Sequence, residues 1–370
     1  MLLYVSAAIS VVKGVYFALQ YSQDFQWSPS VLFVQGVDPY KWYLTGNADS
    51  KIILSQEPNY LPLLYELLAP FALMPWIVAK AVWAFCNLTM AVTTAFILSR
   101  DSGFRGAVQA ALIAVFLSAS PLAHTLGNGQ QSLMCLFALT LAWRGQARSA
   151  GGIGMAVGAV KYSIALPVGL WLLFQRRFSA MGVASLICLL ALAVFVWVTG
   201  AGLSEALLEP LRVGASATHI GLADAMSFIR SLNLDPSRSS RMAYLVGLLT
   251  TSFGMALLWR ARNRLDQGDL FALLCVLSLF AFFHNLYDYV LLLPLFCRAF
   301  RWGTWRRAIA LGYIGFFWFV VQFVEPWLKS SAAIALMALG SATVFVLIVL
   351  LVGERAASAA LPVIPSAARA

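Results

Sequence analysis

The sequence has little charge of either sign, and acidic residues are the scarcer. Only 11% of its 370 residues are charged, with 15 acidic residues against 25 basic ones. A soluble globular domain carries about 25% charged residues, so this chain cannot cover an ordinary water-facing surface. What it has instead is apolar side chains: 61% of the residues are hydrophobic, and the mean hydropathy is +0.82. The composition excludes a soluble globular protein.

Several other signals are missing. The five cysteines lie in or beside apolar stretches, with neither a metal-binding spacing nor a disulfide framework. The net charge of +10 is not gathered into one basic stripe, which argues against nucleic acid as a partner. We find no long-period internal repeat and no DxD-like motif of a nucleotide-sugar metal site. Metal is therefore unassigned.

Apolar runs of about 20 residues, the length that crosses a hydrocarbon core of ~30 Å, recur along the chain. Backbone polar groups in lipid must be paired within the segment, so these runs are predicted to be helices. The fold class is thus an all-α polytopic membrane protein. We predict about ten transmembrane helices: Leu2–Tyr21 as an uncleaved first span, then 76–98, 106–123, 130–144, 178–199, 242–260, 269–284, 287–300, 303–324 and 331–352.

Arginines between the apolar runs predict the orientation, because cytoplasmic loops carry an excess of Lys and Arg. The loops placed in the cytoplasm contain Arg100 and Arg105, Arg144 and Arg148, Arg176 and Arg177, Arg260, Arg262 and Arg264, and Arg298, Arg301, Arg306 and Arg307. The outer side then has two large loops, at about 22–60 and 200–241.

Two segments do not fit as simple crossings. Residues 151–174 have basic loops at both ends, so they should enter and leave on the cytoplasmic side, with a break at Lys161-Tyr162-Ser163. A single continuous crossing is the alternative. Residues 61–74, rich in Pro and Leu, are predicted to form a short re-entrant or interfacial helix on the outer side. Irregular backbone at membrane depth must be buried in protein or line a cavity, so both segments indicate an internal cavity.

The first outer loop combines carboxylates with aromatic rings. Its members are Asp24, Asp38, Asp49 and Glu57, interleaved with Trp27, Tyr40, Trp42, Tyr43 and Tyr60. This combination suits sugar recognition, because pyranose C–H faces stack on rings and sugar hydroxyls need acceptors. The alternative is an aromatic belt at the membrane interface, which is the more common role for any one of these rings.

Several short motifs follow one another along the chain. They are Asp24-Phe25, Gly36-Val37-Asp38-Pro39-Tyr40, Asn59-Tyr60-Leu61-Pro62, Gly127-Asn128-Gly129-Gln130, a Gly-rich helix that ends at Lys161, Gln175-Arg176-Arg177, Ala225-Met226-Ser227-Phe228-Ile229-Arg230, and Tyr287-Asp288-Tyr289 with Leu293-Pro294. Their order over residues 20 to about 300 resembles glycosyltransferase family 87. That family consists of GT-C-type membrane enzymes and includes polyprenyl-phosphate-mannose-dependent α-mannosyltransferases.

The resemblance implies one GT-C-like transmembrane domain at residues 1–353, with re-entrant or interfacial helices besides the spans. Residues 354–370 form an Ala/Pro/Ser-rich tail that we predict to be disordered and cytoplasmic. Two motifs depart from the family pattern. Lys161-Tyr162 stands where Lys-Pro is usual, and Asp288-Tyr289-Val290 stands where we expect Asp-His-His. These departures bear on the choice of acceptor and donor.

The resemblance also implies the reaction: a hexose, mannose by analogy with the relatives, passes from a polyprenyl phosphate to a lipid or glycan acceptor. A carboxylate must take the proton of the acceptor hydroxyl, and cationic or N–H groups must stabilise the departing phosphate. One base and one leaving group imply a single displacement with inversion. The catalytic aspartate of the family maps to Asp24. Asp38 precedes a proline and is expected to order a turn, with sugar contact as its alternative role.

The remaining candidates would bind substrate. Lys161 is an intramembrane charge and therefore a functional candidate, to pair with the donor phosphate; its alternatives are snorkelling or pairing with Glu66. Arg212, Arg230 and Arg241 are further phosphate candidates, or solvated loop residues. His284 and Asp288 can orient an acceptor or cap the turn between two spans. Asn128 and Gln130 can bind sugar hydroxyls or cap the next span, and Tyr40 and Tyr60 are candidate sugar contacts. His124 and His219 are interpreted as structural.

We expect no cofactor, the lipid-linked polyprenyl-phosphate sugar being a co-substrate. The expected partners are membrane lipids, that donor, and a glycolipid or glycan acceptor, at the cytoplasmic membrane with the active site facing outward. A transporter or lipid flippase is the main alternative, since transporters also use broken helices and midplane charges. It does not account for the acidic, aromatic first loop. A third hypothesis is that the protein is a non-enzymatic subunit of an envelope complex.

Overall fold

A computed structural model describes residues 1–22, 24–46, 57–216, 220–232, 235–328 and 330–351. All regular structure within these ranges is helical, with no β-strand among them. The predicted disordered tail, together with Asp49 and His219, lies outside the described residues.

The first half of the chain forms eleven α-helices. They are α1 (Leu2–Tyr21), α2 (Trp27–Val34), α3 (Pro39–Leu44), α4 (Leu63–Ala72), α5 (Trp76–Asp101), α6 (Gly106–Leu117), α7 (Ser120–Asn128), α8 (Ser132–Arg144), α9 (Ala150–Ala159), α10 (Tyr162–Phe174) and α11 (Phe178–Thr199).

The second half adds eight α-helices among the described residues: α12 (Leu203–Ser216), α13 (Ala225–Ser231), α14 (Pro236–Ala261), α15 (Gln267–Ala281), α16 (Leu293–Ala299), α17 (Thr304–Gly315), α18 (Val321–Val324) and α19 (Ser331–Leu350). Short 3-10 helices lie at Arg262–Arg264, Leu286–Leu292 and Glu325–Trp327, and a π-helical turn at Phe316–Val320.

Six helical stretches of the described chain are long and apolar enough to cross a membrane. They are Leu2–Tyr21, Trp76–Asp101, Phe178–Thr199, Arg238–Arg264, Thr304–Trp327 and Ser331–Leu350. Helices α6 and α7 make a seventh if they are one span, bent by 59°. The expected all-helical membrane fold is confirmed, whereas the expected number of about ten spans is not.

Interior burial explains the difference in number. The predicted spans 130–144, 269–284 and 287–300 became short helices, and in α15 every residue from Asp269 to Ala281 is buried. A helix that is hydrophobic all round belongs in the core of a bundle as readily as in lipid, and a run of about 10–14 apolar residues is too short to span. Apolarity alone does not separate these two environments.

The segment at 151–174 is broken where the sequence predicts. Helix α9 ends at Ala159, Lys161 lies in the turn with φ −105° and ψ 82°, and α10 begins at Tyr162. Gly151 lies against Gly145, just after α8 ends, and the ring of Phe174 packs on Trp259 near the end of α14. The two half-helices therefore form a hairpin that carries Lys161 at its tip.

The predicted short helix at 61–74 is α4. Pro70 lies inside it, and the indole of Trp27 in α2 donates to the backbone oxygen of Phe71 at 3.0 Å. The rings of Phe25 and Phe71 meet edge to face. These contacts hold the beginning of the first loop against α4.

Candidate active site

A polar cavity of about 220 Å³ lies where several helix ends meet. Its walls come from the first loop, the α7–α8 junction, the tip of the α9–α10 hairpin, α12 to α14, and the segment after α15. Five neutral amide side chains contribute to it: Gln26, Asn59, Asn128, Gln130 and Asn285. The turns between helices expose polar side chains that would be costly within a span, so these junctions concentrate them in one place.

Lys161 brings a positive charge to this cavity. Its side chain is only 13% exposed, and its ammonium donates to the Oδ1 atom of Asp288 at 2.5 Å. The ammonium also lies 5.1 Å from the centre of the Tyr287 ring. A buried ammonium is stable only when it is paired, and Asp288 supplies the partner. The alternative pairing with Glu66 is not the one that the structure shows.

Asp288 is the centre of a buried polar network. Its Oδ1 atom also accepts from the hydroxyl of Ser132, while Oδ2 accepts from His284 Nδ1 at 3.0 Å and from the backbone N–H of Asn285 at 3.3 Å. Asn285 and Asp288 form a capping box at the start of the 3-10 helix Leu286–Leu292. The capping box thus fixes the Asp288 carboxylate within its own turn, and the tip of the α9–α10 hairpin brings Lys161 to it.

His284 lies behind the cavity wall. It is fully buried, and its backbone N–H lies 3.4 Å from the Oδ2 atom of Asp224. Asp224 caps α13 by accepting from the backbone and hydroxyl of Ser227, each at 2.7 Å, and burial raises its pKa to about 6. The segment before α13 and the turn at 284–288 are therefore held together by hydrogen bonds.

Arg230 of α13 is the second cation on the wall. Its Nη2 atom donates to the backbone oxygen of Gly214 in α12 at 3.0 Å, and its guanidinium lies 5.6 Å from the centre of the Phe283 ring. These contacts orient the side chain, and Arg230 lines the cavity together with Lys161.

Asp24 is fully buried just outside the cavity wall, two residues before Gln26, which lines it. Its Oδ1 atom accepts from the backbone N–H of Ser28 at 3.1 Å, whereas Oδ2 has no donor among the described residues. Burial raises the pKa of this carboxyl to about 7, against the lowering effect of the Ser28 hydrogen bond. A carboxyl with a pKa near neutrality is suited to exchange a proton.

Asp38 and Tyr40 are not among the residues that line the cavity. Asp38 is the N-cap of α3 and accepts from the backbone N–H groups of Tyr40 at 2.9 Å and Lys41 at 3.2 Å, which is the turn role expected for it. Tyr40 is fully buried, and its hydroxyl donates to the backbone oxygen of Tyr60 at 2.5 Å. Burial and the neighbouring Asp38 raise the pKa of Glu209 in α12 to about 7.

The structure thus brings half of the ten predicted residues to one cavity. Tyr60, Asn128, Gln130, Lys161 and Arg230 line it. Asp288 and His284 do not line it: Asp288 holds the ammonium of Lys161, and His284 is hydrogen-bonded to Asp288. Asp24, Asp38 and Tyr40 are not among its lining residues, and their contact with substrate stays a prediction. His124, interpreted as structural, has its Nδ1 atom 2.9 Å from the backbone oxygen of Ser120.

Sequence reasoning missed other lining residues. Gln26, Glu57, Asn59, Tyr162 and Tyr244 were not proposed as substrate contacts, although all five line the cavity. Asn59 is next to Tyr60 and Tyr162 is next to Lys161. The motifs that contain these two predicted residues could therefore have indicated their neighbours as well. Nothing in the local sequence singles out Tyr244, which lies within the long helix α14.

The sequence matches the family model of glycosyltransferase family 87 over residues 59–294, more than half of the chain. The chain belongs to glycosyltransferase family 87. It is therefore an enzyme, a membrane glycosyltransferase, and the transporter and assembly-subunit alternatives are set aside. No curated protein matches the chain. No solved structure matches it.

The matched range contains most of this glycosyltransferase's cavity. It includes the lining residues Asn59, Tyr60, Lys161 and Arg230 and the α7–α8 junction, as well as Asp288 behind the wall. Asp24 and Asp38 of the first loop precede it. The cavity is thus built mainly by the part of the chain that carries the family pattern, with the first loop closing one side.

Proposed function

We propose that this glycosyltransferase moves a hexose, mannose by resemblance, from a polyprenyl-phosphate donor to a lipid or glycan acceptor. The reaction takes place on the outer side of the cytoplasmic membrane. One observation carries the proposal: a small cavity holds the ammonium of Lys161, fixed by buried Asp288, beside Arg230 and a set of neutral amides. Such a wall suits a ligand with one anionic end and one end rich in hydroxyls.

The cations would bind the donor phosphate. An ammonium has three N–H donors, and Asp288 is the hydrogen-bond partner of Lys161 within the described chain, which leaves two donors for a ligand. Arg230 adds a guanidinium whose geometry matches a phosphate. Both charges are held in place before the substrate arrives, so they can stabilise the negative charge that develops on the leaving phosphate.

The neutral part of the wall would bind the sugar. Asn59, Asn128 and Gln130 can donate to and accept from hydroxyls, and Tyr60 offers a ring. The cavity volume of about 220 Å³ is below the ~300–1,000 Å³ of typical ligand pockets. It therefore suits a single sugar residue with its phosphate, while the lipid chain of the donor would extend into the bilayer.

The chemical step is a single displacement. The acceptor oxygen forms a bond to the anomeric carbon, and the bond from that carbon to the phosphate oxygen breaks. The leaving polyprenyl phosphate takes the electron pair, and Asp24 takes the acceptor proton, so the anomeric configuration inverts. The pKa of about 7 at Asp24 suits this role, and its unpartnered Oδ2 atom is the oxygen that would accept the proton. No cofactor enters this scheme.

The test is a transfer assay with membranes that contain the full-length protein and radiolabelled polyprenyl-phosphate mannose. We expect wild type to form a labelled glycan and Asp24→Asn to lose about 10²–10⁴-fold of the rate, the usual contribution of a general base. Lys161→Met should raise the KM for the donor. If wild type transfers no sugar from any polyprenyl-phosphate donor, the donor class is wrong.

Glu57→Gln is the matched comparison for the base. Glu57 is the one carboxylate among the described residues that line the cavity, whereas Asp24 lies behind the wall. A general base at Asp24 predicts that Glu57→Gln retains most of the rate. Full activity in Asp24→Asn, with loss in Glu57→Gln, would reassign the base and leave the donor and the reaction unchanged.

A further inference from the structure

A second cavity, of about 410 Å³, lies at the other end of the bundle. Helix α8 begins beside Gln130 of the candidate active site and ends at Arg144, which lines the second cavity. Helix α15 runs the opposite way, from Gln267 of the second cavity towards Phe282 of the first. The two cavities are therefore separated by the length of these helices. The second has a volume within the ~300–1,000 Å³ of ligand pockets, and no reaction step above uses it.

One residue of the cavity lining carries a buried hydrogen-bond donor that has no partner among the described residues. Trp143 lines it and is only 7% exposed, and its indole N–H has no acceptor among the described residues. Its ring stacks on Phe271 with centroids 5.4 Å apart. A buried donor without a partner costs free energy, and a tryptophan with an apolar neighbour and an unsatisfied N–H suits a ligand with an acceptor at that point.

The charges around the cavity favour an anion. Three arginines and two aspartates line it, Arg144, Arg298 and Arg301 against Asp101 and Asp266. Behind the lining, Asp269 pairs with both Arg298 and Arg306, so the whole cluster of four arginines and three aspartates has a balance of +1. Arg144 pairs with Asp101 at 3.3 Å, and Arg298 pairs with Asp266 and Asp269. Arg301 has no ion-pair partner within the described ranges, and its side chain is exposed at the rim. The guanidinium of Arg301 is therefore available to pair with an anionic ligand.

We propose that this cavity binds the headgroup of an anionic phospholipid. The phosphodiester would accept from the indole of Trp143 and the guanidinium of Arg301, two donors that phosphate oxygens can satisfy together. Leu98, Phe271 and Pro294 would contact the apolar part of the lipid next to the headgroup. Basic cavities between membrane helices at the cytoplasmic side commonly take anionic lipids, and the arginine distribution predicts this end to be cytoplasmic.

The test uses the purified, delipidated full-length protein and native mass spectrometry. Dioleoylphosphatidylglycerol is titrated against dioleoylphosphatidylcholine as the neutral lipid. We expect retention of phosphatidylglycerol at one preferred site, with about threefold to tenfold weaker binding in Trp143→Phe and in Arg301→Gln, the usual effect of one lost hydrogen bond. Trp143→Phe keeps an aromatic ring beside Phe271 while removing the indole N–H, and Arg301 is exposed, so neither change should prevent folding.

Arg148→Gln is the matched control, because Arg148 is an exposed arginine close to the same helix end that does not line the cavity. It should bind phosphatidylglycerol as wild type does. Equal weakening by Arg148→Gln would mean a diffuse charge effect and would overturn the proposal, as would unchanged binding in both cavity variants. Displacement of the lipid by excess inorganic phosphate, with no preference for phosphatidylglycerol, would assign the site to free phosphate instead.

Discussion

At the scale of single residues, Asp24 and Lys161 show two ways of holding a charge in an apolar bundle. Lys161 remains paired, with its ammonium against Asp288. Asp24 accepts from the backbone N–H of Ser28 and has no cationic partner among the described residues, so burial dominates and raises its pKa to about 7. The paired group keeps its charge and can bind a phosphate, while the unpaired one can exchange a proton near neutral pH.

The pKa of Asp24 predicts the pH dependence of the reaction. A general base works only when it is ionised, so the rate should rise with pH through about 7 and level off above it. Below that pH it should fall about tenfold per pH unit. The measurement is the transfer rate at saturating acceptor from acidic to alkaline pH. An acidic limb near the ordinary carboxyl pKa would contradict the assignment.

Asp38→Asn serves as the control for that experiment. Asparagine caps a helix about as well as aspartate, so α3 should keep its start and the variant should keep both its rate and its pH profile. Asp24→Asn should lose the rate instead. If both variants lose activity equally, the first loop depends on its carboxylates in general, and Asp24 has no special role.

The buried pair of Lys161 and Asp288 predicts a large energetic coupling. Removing one partner of a buried ion pair leaves the other charge uncompensated and costs about 3–5 kcal/mol. Lys161→Met and Asp288→Asn should each destabilise strongly, and the double variant should cost clearly less than the sum. The measurement is the free energy of unfolding in detergent titrations.

The exposed pair of Arg144 and Asp101 provides the comparison for this cycle. Its side chains are 53% and 43% exposed, and exposed pairs contribute only about 0–1 kcal/mol. Its coupling energy should therefore be small. A coupling of similar size in both cycles would mean that Lys161 and Asp288 are not a buried pair in the membrane.

At the scale of elements, the junction between α7 and α8 determines how the first loop packs. Gly129 ends α7 with φ +68°, a left-handed conformation, and a Cβ atom there would lie 2.7 Å from the Cβ of Phe25. The indole of Trp83 donates to the backbone oxygen of Gly129 at 2.8 Å. The side-chain amide of Gln131 donates to the backbone oxygen of Phe25 at 2.7 Å. Residues 129 and 131 thus position the segment that contains Asp24.

Gly129→Ala should therefore destabilise the protein and reduce its activity. A side chain in the left-handed conformation costs about 1–2 kcal/mol, and the contact with Phe25 adds to that cost by displacing the Asp24 segment. Gly200→Ala is the matched control, since Gly200 has the same φ of +68° with nothing within 4 Å of its Cβ position. It should lose stability but keep its transfer rate. Equal activity loss in both variants would contradict the role of this contact.

At the scale of the whole molecule, the two cavities lie at opposite ends of α8 and α15, and the arginine loops lie at one end. The positive-inside distribution predicts that the candidate active site opens to the outside. Single cysteines can test this in a background that lacks the five native ones. Thr45→Cys and Leu208→Cys, both at exposed positions, should react with an impermeant maleimide on intact cells.

Ser149→Cys is the control from the other end, in the exposed turn before α9. It should react only after the membrane is permeabilised. Labelling of Ser149→Cys on intact cells, with protection of the other two positions, would reverse the orientation and place the reaction in the cytoplasm.

Composition and local sequence pattern were enough to predict the fold class, the break at Lys161, the turn at Asp38 and the family. Each rests on information within a few neighbouring residues: the length of an apolar run, a charge inside it, an aspartate before a proline, or a short motif. The number of spans was not predictable in this way, because α15 is as apolar as a lipid-facing helix and is buried in protein instead. Which surroundings an apolar side chain meets depends on how the helices pack.

Packing in three dimensions also decided the partners within the site. Asp288 is 127 residues from Lys161 and 156 from Ser132, and no local pattern encodes a pairing over such a distance. The same holds for the position of Asp24 behind the cavity wall and for the unpaired indole of Trp143 at the opposite end. A chain of apolar runs specifies that its few polar groups must be gathered and satisfied, but only the packed bundle determines which of them meet.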